Sequence, residues 1–161
     1  MTPDNYFAYN IIVVNLKKEP KMKEEHCIFF QLAKANQTGI KFLNQKILNL
    51  GITPVQGMVI AFLSEEDQIT AGELGKKVEL DSATLTGLLD RLEAARLIER
   101  RGNPDDRRSI KIHLTPQGRK TALEAGRLIE EANREFLAPF TDAEKGMLIG
   151  LIKKMRGQAV R

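Results

Sequence analysis

The sequence predicts a mainly α-helical protein that carries one small β-hairpin. Three observations point there. Apolar residues recur at three- and four-residue steps over most of the chain, and capping motifs led by threonine or aspartate mark one helix start after another. The period switches to strict alternation at one place only, just before Thr115. With 161 residues, 42% hydrophobic and 29% charged, the chain has the length and balance for a single globular core.

Residues 1–21 stand apart. YFAYNIIVVNL (6–16) looks extended or irregular, LKKEPKMKEE turns abruptly charged, and Met22 offers a second start. They are expected to form an arm of unknown role. From Lys23 to Leu50 the pattern is a long helix, with Phe29, Leu32, Asn36, Ile40, Leu43, Ile47 and Leu50 along one face. In TPVQ (53–56), Thr53 is an N-cap, Pro54 suits the first helical position and Gln56 completes a capping box. TAGE (70–73) and TDAE (141–144) repeat the logic; Asp81-Ser82 caps SATLTGLLDRLEAARL, and Thr115-Pro116 opens a further helix.

Ala71, Leu74 and Val78 are expected on the buried side of the short helix after Thr70. Leu85, Leu88, Leu89 and Leu92 should form that of the next, with Glu79, Leu80 and Asp81 as the turn between them. IER and SIKIHL read as two strands, because Ile110, Ile112 and Leu114 alternate with Lys111 and His113; Gly102, Asn103 and Pro104 supply the turn. FLAPFTDAEKGMLIGLIKKM (136–155) adds an amphipathic helix whose Met147, Leu148, Leu151, Ile152 and Met155 call for a partner surface.

Several function classes are excluded by the residues themselves. Cys27 is the only cysteine, so no intrachain disulfide is expected and a reducing, cytoplasmic location follows. No apolar run is long enough to cross a bilayer, and residues 6–16 make a poor signal peptide, so no membrane partner is expected. The histidines and the cysteine lack metal-ligand spacing, and no glycine-rich phosphate loop is present. Asp105 and Asp106 lack a third ligand and stand among arginines, and no nucleophile with a nearby base is visible. Neither an enzyme nor a cofactor is expected.

What remains is binding. Two helices joined by a short turn make a helix-turn-helix. The outer face of its second helix carries Ser82, Ala83, Thr84, Thr86, Gly87, Asp90 and Arg91. These small or hydrogen-bonding groups suit contact with base edges, and Lys76 and Lys77 on the preceding helix suit phosphate. Directly afterwards, RRGNPDDRRSIK concentrates Arg100, Arg101, Arg107, Arg108 and Lys111 against Asp105 and Asp106, so +3 of the chain's net +4 sits there. A hairpin bearing Arg101, Arg107 and Arg108 suits the minor groove, with Asp106 expected to hold the Arg108 side chain extended. The same charges would also suit a solvated turn, or a module that docks on an acidic protein.

LDSATLTGLLDRLEAARLIERRGNPDDRRSIKIHLTPQGR resembles the MarR family of bacterial winged-helix regulators. The likeness lies in a recognition helix ending D-R-L-E, a wing with Asp-x-Arg (Asp106 and Arg108) and Leu-Thr opening the next helix. TPVQGMVIAFL (53–63) resembles the family's second helix, and the resemblance covers roughly residues 23–157. It implies a winged helix-turn-helix (53–114) between long N- and C-terminal dimerisation helices (22–52 and 115–161). It further implies a homodimer on a pseudo-palindromic operator in double-stranded DNA, acting as a repressor that a small aromatic or lipophilic effector releases. His26, Phe29, Phe30, Asn36 and Phe62 are expected to line the effector pocket. The alternative is redox sensing through Cys27, since the organic-hydroperoxide-sensing branch carries its reactive cysteine in this helix. In that branch the cysteine is bonded to tyrosines. Here the only tyrosines are Tyr6 and Tyr9, in the arm, and Gln31 and Lys41 stand at the corresponding downstream positions. On the other reading Cys27 is simply a small apolar residue.

Overall fold

The computed structural model describes residues 27–104, 106 and 108–158. The arm over residues 1–21, His26, Asp105 and Arg107 lie outside the described residues. In chain order the elements are α1 (Ile28–Ile47), a 3-10 turn (Leu48–Leu50), α2 (Pro54–Glu65), β1 (Ile69–Thr70), α3 (Ala71–Val78), α4 (Ser82–Ala94), β2 (Ile98–Gly102), β3 (Ile110–Leu114), α5 (Pro116–Phe136) and α6 (Asp142–Gln158). The chain divides into two units inside α1, between Thr38 and Gly39. The described part of the first unit is helical, exposes Ile28, Phe29 and Leu32, and sets Lys34 Nζ 5.4 Å from the Phe30 ring centroid.

In the second unit the helix starts are where the capping residues put them. Thr53 Oγ1 accepts from Gln56 N at 3.3 Å while Gln56 Oε1 accepts from Thr53 N at 2.8 Å. Thr70 and Glu73 make the same reciprocal pair at the start of α3, at 2.7 and 3.2 Å. Asp81 Oδ1 holds Thr84 N–H at 2.9 Å, and Thr115 Oγ1 holds Gly118 N–H at 2.9 Å. Each cap satisfies a backbone donor that the helix cannot, a contribution of about 1 kcal/mol. α4 ends in a Schellman motif: Leu97 N–H reaches Leu92 O at 3.0 Å and Arg96 N–H reaches Glu93 O at 2.8 Å, with Arg96 left-handed at φ 58°. Leu92 and Leu97 are both buried, the apolar contact that accompanies this ending.

α2 packs along α5, and α4 packs against α3 and β2 with Leu85, Leu88, Leu89 and Leu92 inward. Ile47, Val59, Ile60, Leu63, Leu74, Ile98, Ile112 and Leu114 complete one core, each fully buried side chain stabilising by about 1.5–3 kcal/mol. Ala71, expected on the buried side of α3, is exposed. The first turn of α3 stands off from α4 across a recess that Ala71 itself lines, so Leu74 carries the packing and Val78 is half-buried.

The sheet has three antiparallel strands in the order β1-β3-β2, one more than the hairpin expected. Ile112 faces both Ile69 and Arg100 across the ladder, and Lys111 faces Arg101. β1 is only two residues long, too short for alternation to reveal it. Asp67 fastens it: Oδ1 accepts from Gln68 N and Leu114 N, each at 3.0 Å, and Oδ2 pairs with Arg119 Nη2 at 2.5 Å. On α1 and α6 the apolar residues Ile40, Met147, Leu148, Leu151, Ile152 and Met155 are exposed. Among the described residues no single helix is long and apolar enough to cross a membrane.

Candidate nucleic-acid interface

The four inward leucines of α4 turn its opposite face to solvent: Ser82, Ala83, Thr84, Thr86, Gly87, Asp90 and Arg91 are all exposed. The threonine hydroxyls are not idle. Thr84 Oγ1 donates to Asp81 Oδ2 at 2.6 Å, and Thr86 Oγ1 donates to the Ser82 carbonyl at 2.7 Å. The Thr84 hydroxyl, followed by its backbone N–H, holds the Asp81 carboxyl below its ordinary range. Gly87 sits mid-helix, and a Cβ placed there would meet nothing within 4 Å. Among the described residues no packing calls for a glycine at that point.

Two recesses flank α4. One, of about 340 Å³, lies toward α3 and is lined by Ala71, Gly72, Gly75, Lys76, Leu80, Ser82, Leu85 and Thr86. The other, of about 410 Å³, lies toward the start of α2 and is lined by Thr53, Val55, Gln56, Ala83, Thr84, Gly87, Leu88 and Arg91. Lys76 thus borders the interface, whereas Lys77 Nζ is engaged by Glu66 Oε2 at 2.8 Å. That pair is largely exposed, so a phosphate can compete for Lys77 at little cost.

The wing is β2, β3 and the connecting turn. Asn103 N–H reaches Ser109 O at 3.1 Å and Asn103 Nδ2 reaches Ser109 Oγ at 2.8 Å, which closes the turn. Asp106 behaves differently from expectation. Its Oδ1 accepts from the backbone N–H of Arg108 at 3.0 Å rather than from the guanidinium. It is therefore a turn-forming aspartate, which shapes the loop that projects Arg108 instead of clamping the side chain. Arg108 is exposed, and Arg101, also exposed, lies in β2 with its guanidinium paired to Glu99.

Arg100, expected as one more basic group of the tip, is placed elsewhere. It points back from β2 to α4, with Nη1 2.5 Å from Glu93 Oε2 and Nη2 2.7 Å from Asp90 Oδ1, while its N–H donates to Glu93 Oε1 at 3.1 Å. The wing is thereby braced to the recognition helix. The same guanidinium neutralises Asp90, the one carboxylate on the outer face of α4. A signal existed in the sequence, the spacing of Asp90 and Glu93 on one side of a helix, but nothing local pairs them with a strand residue.

The described residues expected around an effector belong to both units. Phe29 and Asn36 are exposed and Phe30 is half-buried in the first unit, and Phe62 is partly exposed on α2 in the second. A further hollow within the second unit, of about 240 Å³, is lined by Gly39, Phe42, Leu43, Met58, Ile129, Ala132, Asn133 and Phe136. Phe42 and Phe136 meet there with ring centroids 5.3 Å apart, tilted by 54°, and Lys46 lies beside Phe42 and pairs with Glu135 at 2.5 Å. Of the described residues expected there, Phe29, Phe30, Asn36 and Phe62 are not in its lining. Its walls come from α1, α2 and α5, which are distant in sequence. Cys27 is half-buried just before α1.

Comparison with known proteins agrees with this geometry. The MarR family model matches residues 50–109, which span α2 to the wing turn. The HTH-type transcriptional regulator YdgJ of Bacillus subtilis (strain 168) is 32% identical over 153 residues, 92% of this chain and 91% of that protein. A mutant of Escherichia coli MarR complexed with operator DNA superposes with a TM-score of 0.76 at 28% identity, covering 85% of this chain and 99% of that one. Bordetella bronchiseptica BpsR, whose DNA binding is regulated by 6-hydroxynicotinic acid, superposes with a TM-score of 0.77 at 25% identity, over 86% of this chain and 98% of its own. With its helix-turn-helix, its arginine-bearing wing and these relatives, the chain belongs to the MarR family of winged helix-turn-helix transcriptional regulators.

Proposed function

We propose that this regulator is a homodimeric repressor that binds a pseudo-palindromic operator and is released by a small aromatic or lipophilic ligand. The observation that carries the DNA-binding part is the brace from Arg100 to Asp90 and Glu93, which holds the wing and the exposed face of α4 as one surface. Residues 53–114 make that surface: Ser82, Ala83, Thr84, Thr86, Gly87 and Arg91 face base edges, Lys76 and Lys77 face phosphate, and Arg101, Arg107 and Arg108 serve the wing.

Residues 22–52 and 115–161 pair the two copies. The exposed apolar residues of α6, Met147, Leu151 and Ile152 among them, favour this reading, since apolar patches of that kind mark association surfaces. Two-fold pairing then sets the recognition helices about one DNA turn apart. The hollow lined by Phe42, Met58 and Phe136 favours a flat, largely apolar ligand with one polar group facing Asn133. The set expected from the sequence, His26, Phe29, Phe30, Asn36 and Phe62, is a second candidate lining for the effector.

The test is fluorescence anisotropy on DNA from upstream of the protein's own gene, with a shuffled duplex as control and a salt series on both. A preference of roughly a thousandfold or more, with affinity falling steeply as salt rises, is expected. Equal weak binding to both duplexes would overturn the sequence-specific reading. Sedimentation at micromolar concentration checks the dimer.

A further inference from the structure

Both threonine hydroxyls on the flanks of α4 have already committed their only proton. Thr84 Oγ1 lies 2.6 Å from Asp81 Oδ2, and Thr86 Oγ1 lies 2.7 Å from the Ser82 carbonyl oxygen. A carboxylate and a carbonyl can only accept, so in each pair the hydrogen comes from the threonine. A hydroxyl has one donor and two lone pairs, so each turns outward as an acceptor. Local geometry keeps both bonds. Asp81 is the N-cap, its other oxygen already holding Thr84 N–H, and Thr86 back-bonds to the carbonyl four residues before it. Rotating Thr84 to donate elsewhere would break a charge-assisted bond, among the stronger kinds available on a surface. Thr84 lines the recess toward α2 and Thr86 the one toward α3, so the two acceptors lie on either side of the edge bearing Ala83 and Gly87.

In the major groove adenine N6 and cytosine N4 donate, whereas guanine O6 and N7 and thymine O4 accept. An acceptor-only hydroxyl bonds to the first set and meets a lone pair in the second. On the DNA-binding reading above, we propose that Thr84 and Thr86 determine specificity by accepting from an exocyclic amino group, adenine N6 or cytosine N4, at the positions under the start of α4. Guanine and thymine edges are disfavoured there. The threonine methyl groups remain available to rest on a thymine methyl of the opposite strand.

The test uses the full chain and a duplex selected from a pool with a randomised core. In that duplex single adenines are replaced by purine, which lacks the N6 amino group, and single cytosines by 2-pyrimidinone, which lacks the N4 amino group. Guanines are replaced by 7-deazaguanine. Anisotropy is measured for the parent protein, Thr84→Val, Thr86→Val and the corresponding serine variants, each first checked by thermal melting. The parent is expected to lose roughly three- to tenfold in affinity at one or more amino deletions. That loss disappears in the matching valine variant and returns with serine, and the purine and pyrimidinone arms tell adenine from cytosine. If Thr84→Val does not fold, Thr86→Val decides alone, because its hydroxyl bonds only to an exposed backbone carbonyl. Coupling of the threonines to 7-deazaguanine instead, or coupling to no analogue, would overturn the proposal and leave the DNA-binding reading standing. A pool that yields no enriched sequence would overturn both.

Discussion

Replacing Gly118 with alanine is expected to destabilise this protein more than the same change at any other described glycine. A Cβ at Gly118 would stand 1.7 Å from Leu97 O and 2.8 Å from Leu97 C, both backbone atoms. To reach even a tight contact the two segments must part by about 1.5 Å. Leu97 has no freedom to retreat. Its carbonyl accepts from Thr115 N at 3.1 Å, its N–H closes the Schellman end of α4, and the next residue begins β2. The Gly118 N–H is itself tied to Thr115 Oγ1, whose hydroxyl reaches Arg96 O at 2.7 Å. Overpacking costs about 1–3 kcal/mol where side chains can adjust, and here only backbone can, so about 3 kcal/mol or more is expected. At 2–4 °C per kcal/mol, Tm falls by roughly 6–12 °C. Thermal melting by circular dichroism at one fixed protein concentration measures it, since association shifts Tm by mass action. A variant melting within about 2 °C of the parent would refute the reasoning. This close approach is also the physical content of the Leu-Thr-x-x-Gly stretch at 114–118, where the wing leads into α5.

Further outcomes follow from the same geometry. Gly87→Ala adds the identical methyl group in open space, so helix propensity alone should raise stability by about 0.5–1 kcal/mol while operator affinity drops, read by melting and anisotropy on the same preparation. Arg108→Ala should weaken operator binding by about 1–3 kcal/mol without moving Tm; an unchanged Kd would remove Arg108 from the interface. Asp67→Ala strips the acceptor from Leu114 N and Gln68 N and should cost about 1–3 kcal/mol in urea denaturation, because a part-buried donor is left unpaired. Asp81 titrates below the ordinary aspartate value of 3.8, so its bonds stabilise fully above that value and are lost as pH falls through the lowered one. Asp81→Asn should therefore flatten the acid side of a Tm-against-pH curve, and an unaltered slope there would show that other carboxylates set it.

Much of the fold was legible because its signals are local. Thr53, Thr70, Asp81, Thr115 and Thr141 cap helices through partners three residues away, and the inward leucines of α4 follow from a period of 3.6. The outward face of α4 was legible as their complement. Apart from Asp106, whose partner is the N–H two residues on, what failed needed a partner distant in sequence. β1 exists because Asp67 joins Leu114 and Arg119, and Arg100 belongs to Glu93 and Asp90 rather than to the wing tip. Ala71 stayed outside because only the packing angle of α3 against α4 decides how far the contact extends along a helix.

The site divides in the same way. Residue types and their helical or alternating positions are enough to mark Ser82 to Arg91 and the wing as a surface for nucleic acid, since exposure on an amphipathic element is a property of the local period. Which atoms of that surface are free is only partly a tertiary matter. The threonine protons are taken within one helical turn by Asp81 and the Ser82 carbonyl, and Asp106 turns to a backbone N–H two residues on. Lys77 leans on Glu66 and the hollow forms where Phe42, Met58 and Phe136 converge only because the helices pack. Hydrogen bonds and ion pairs depend on distances of a few ångströms. Sequence spacing sets such distances only within about one helical turn or across a tight hairpin. Beyond that range the packing of α2, α4 and α5 sets them.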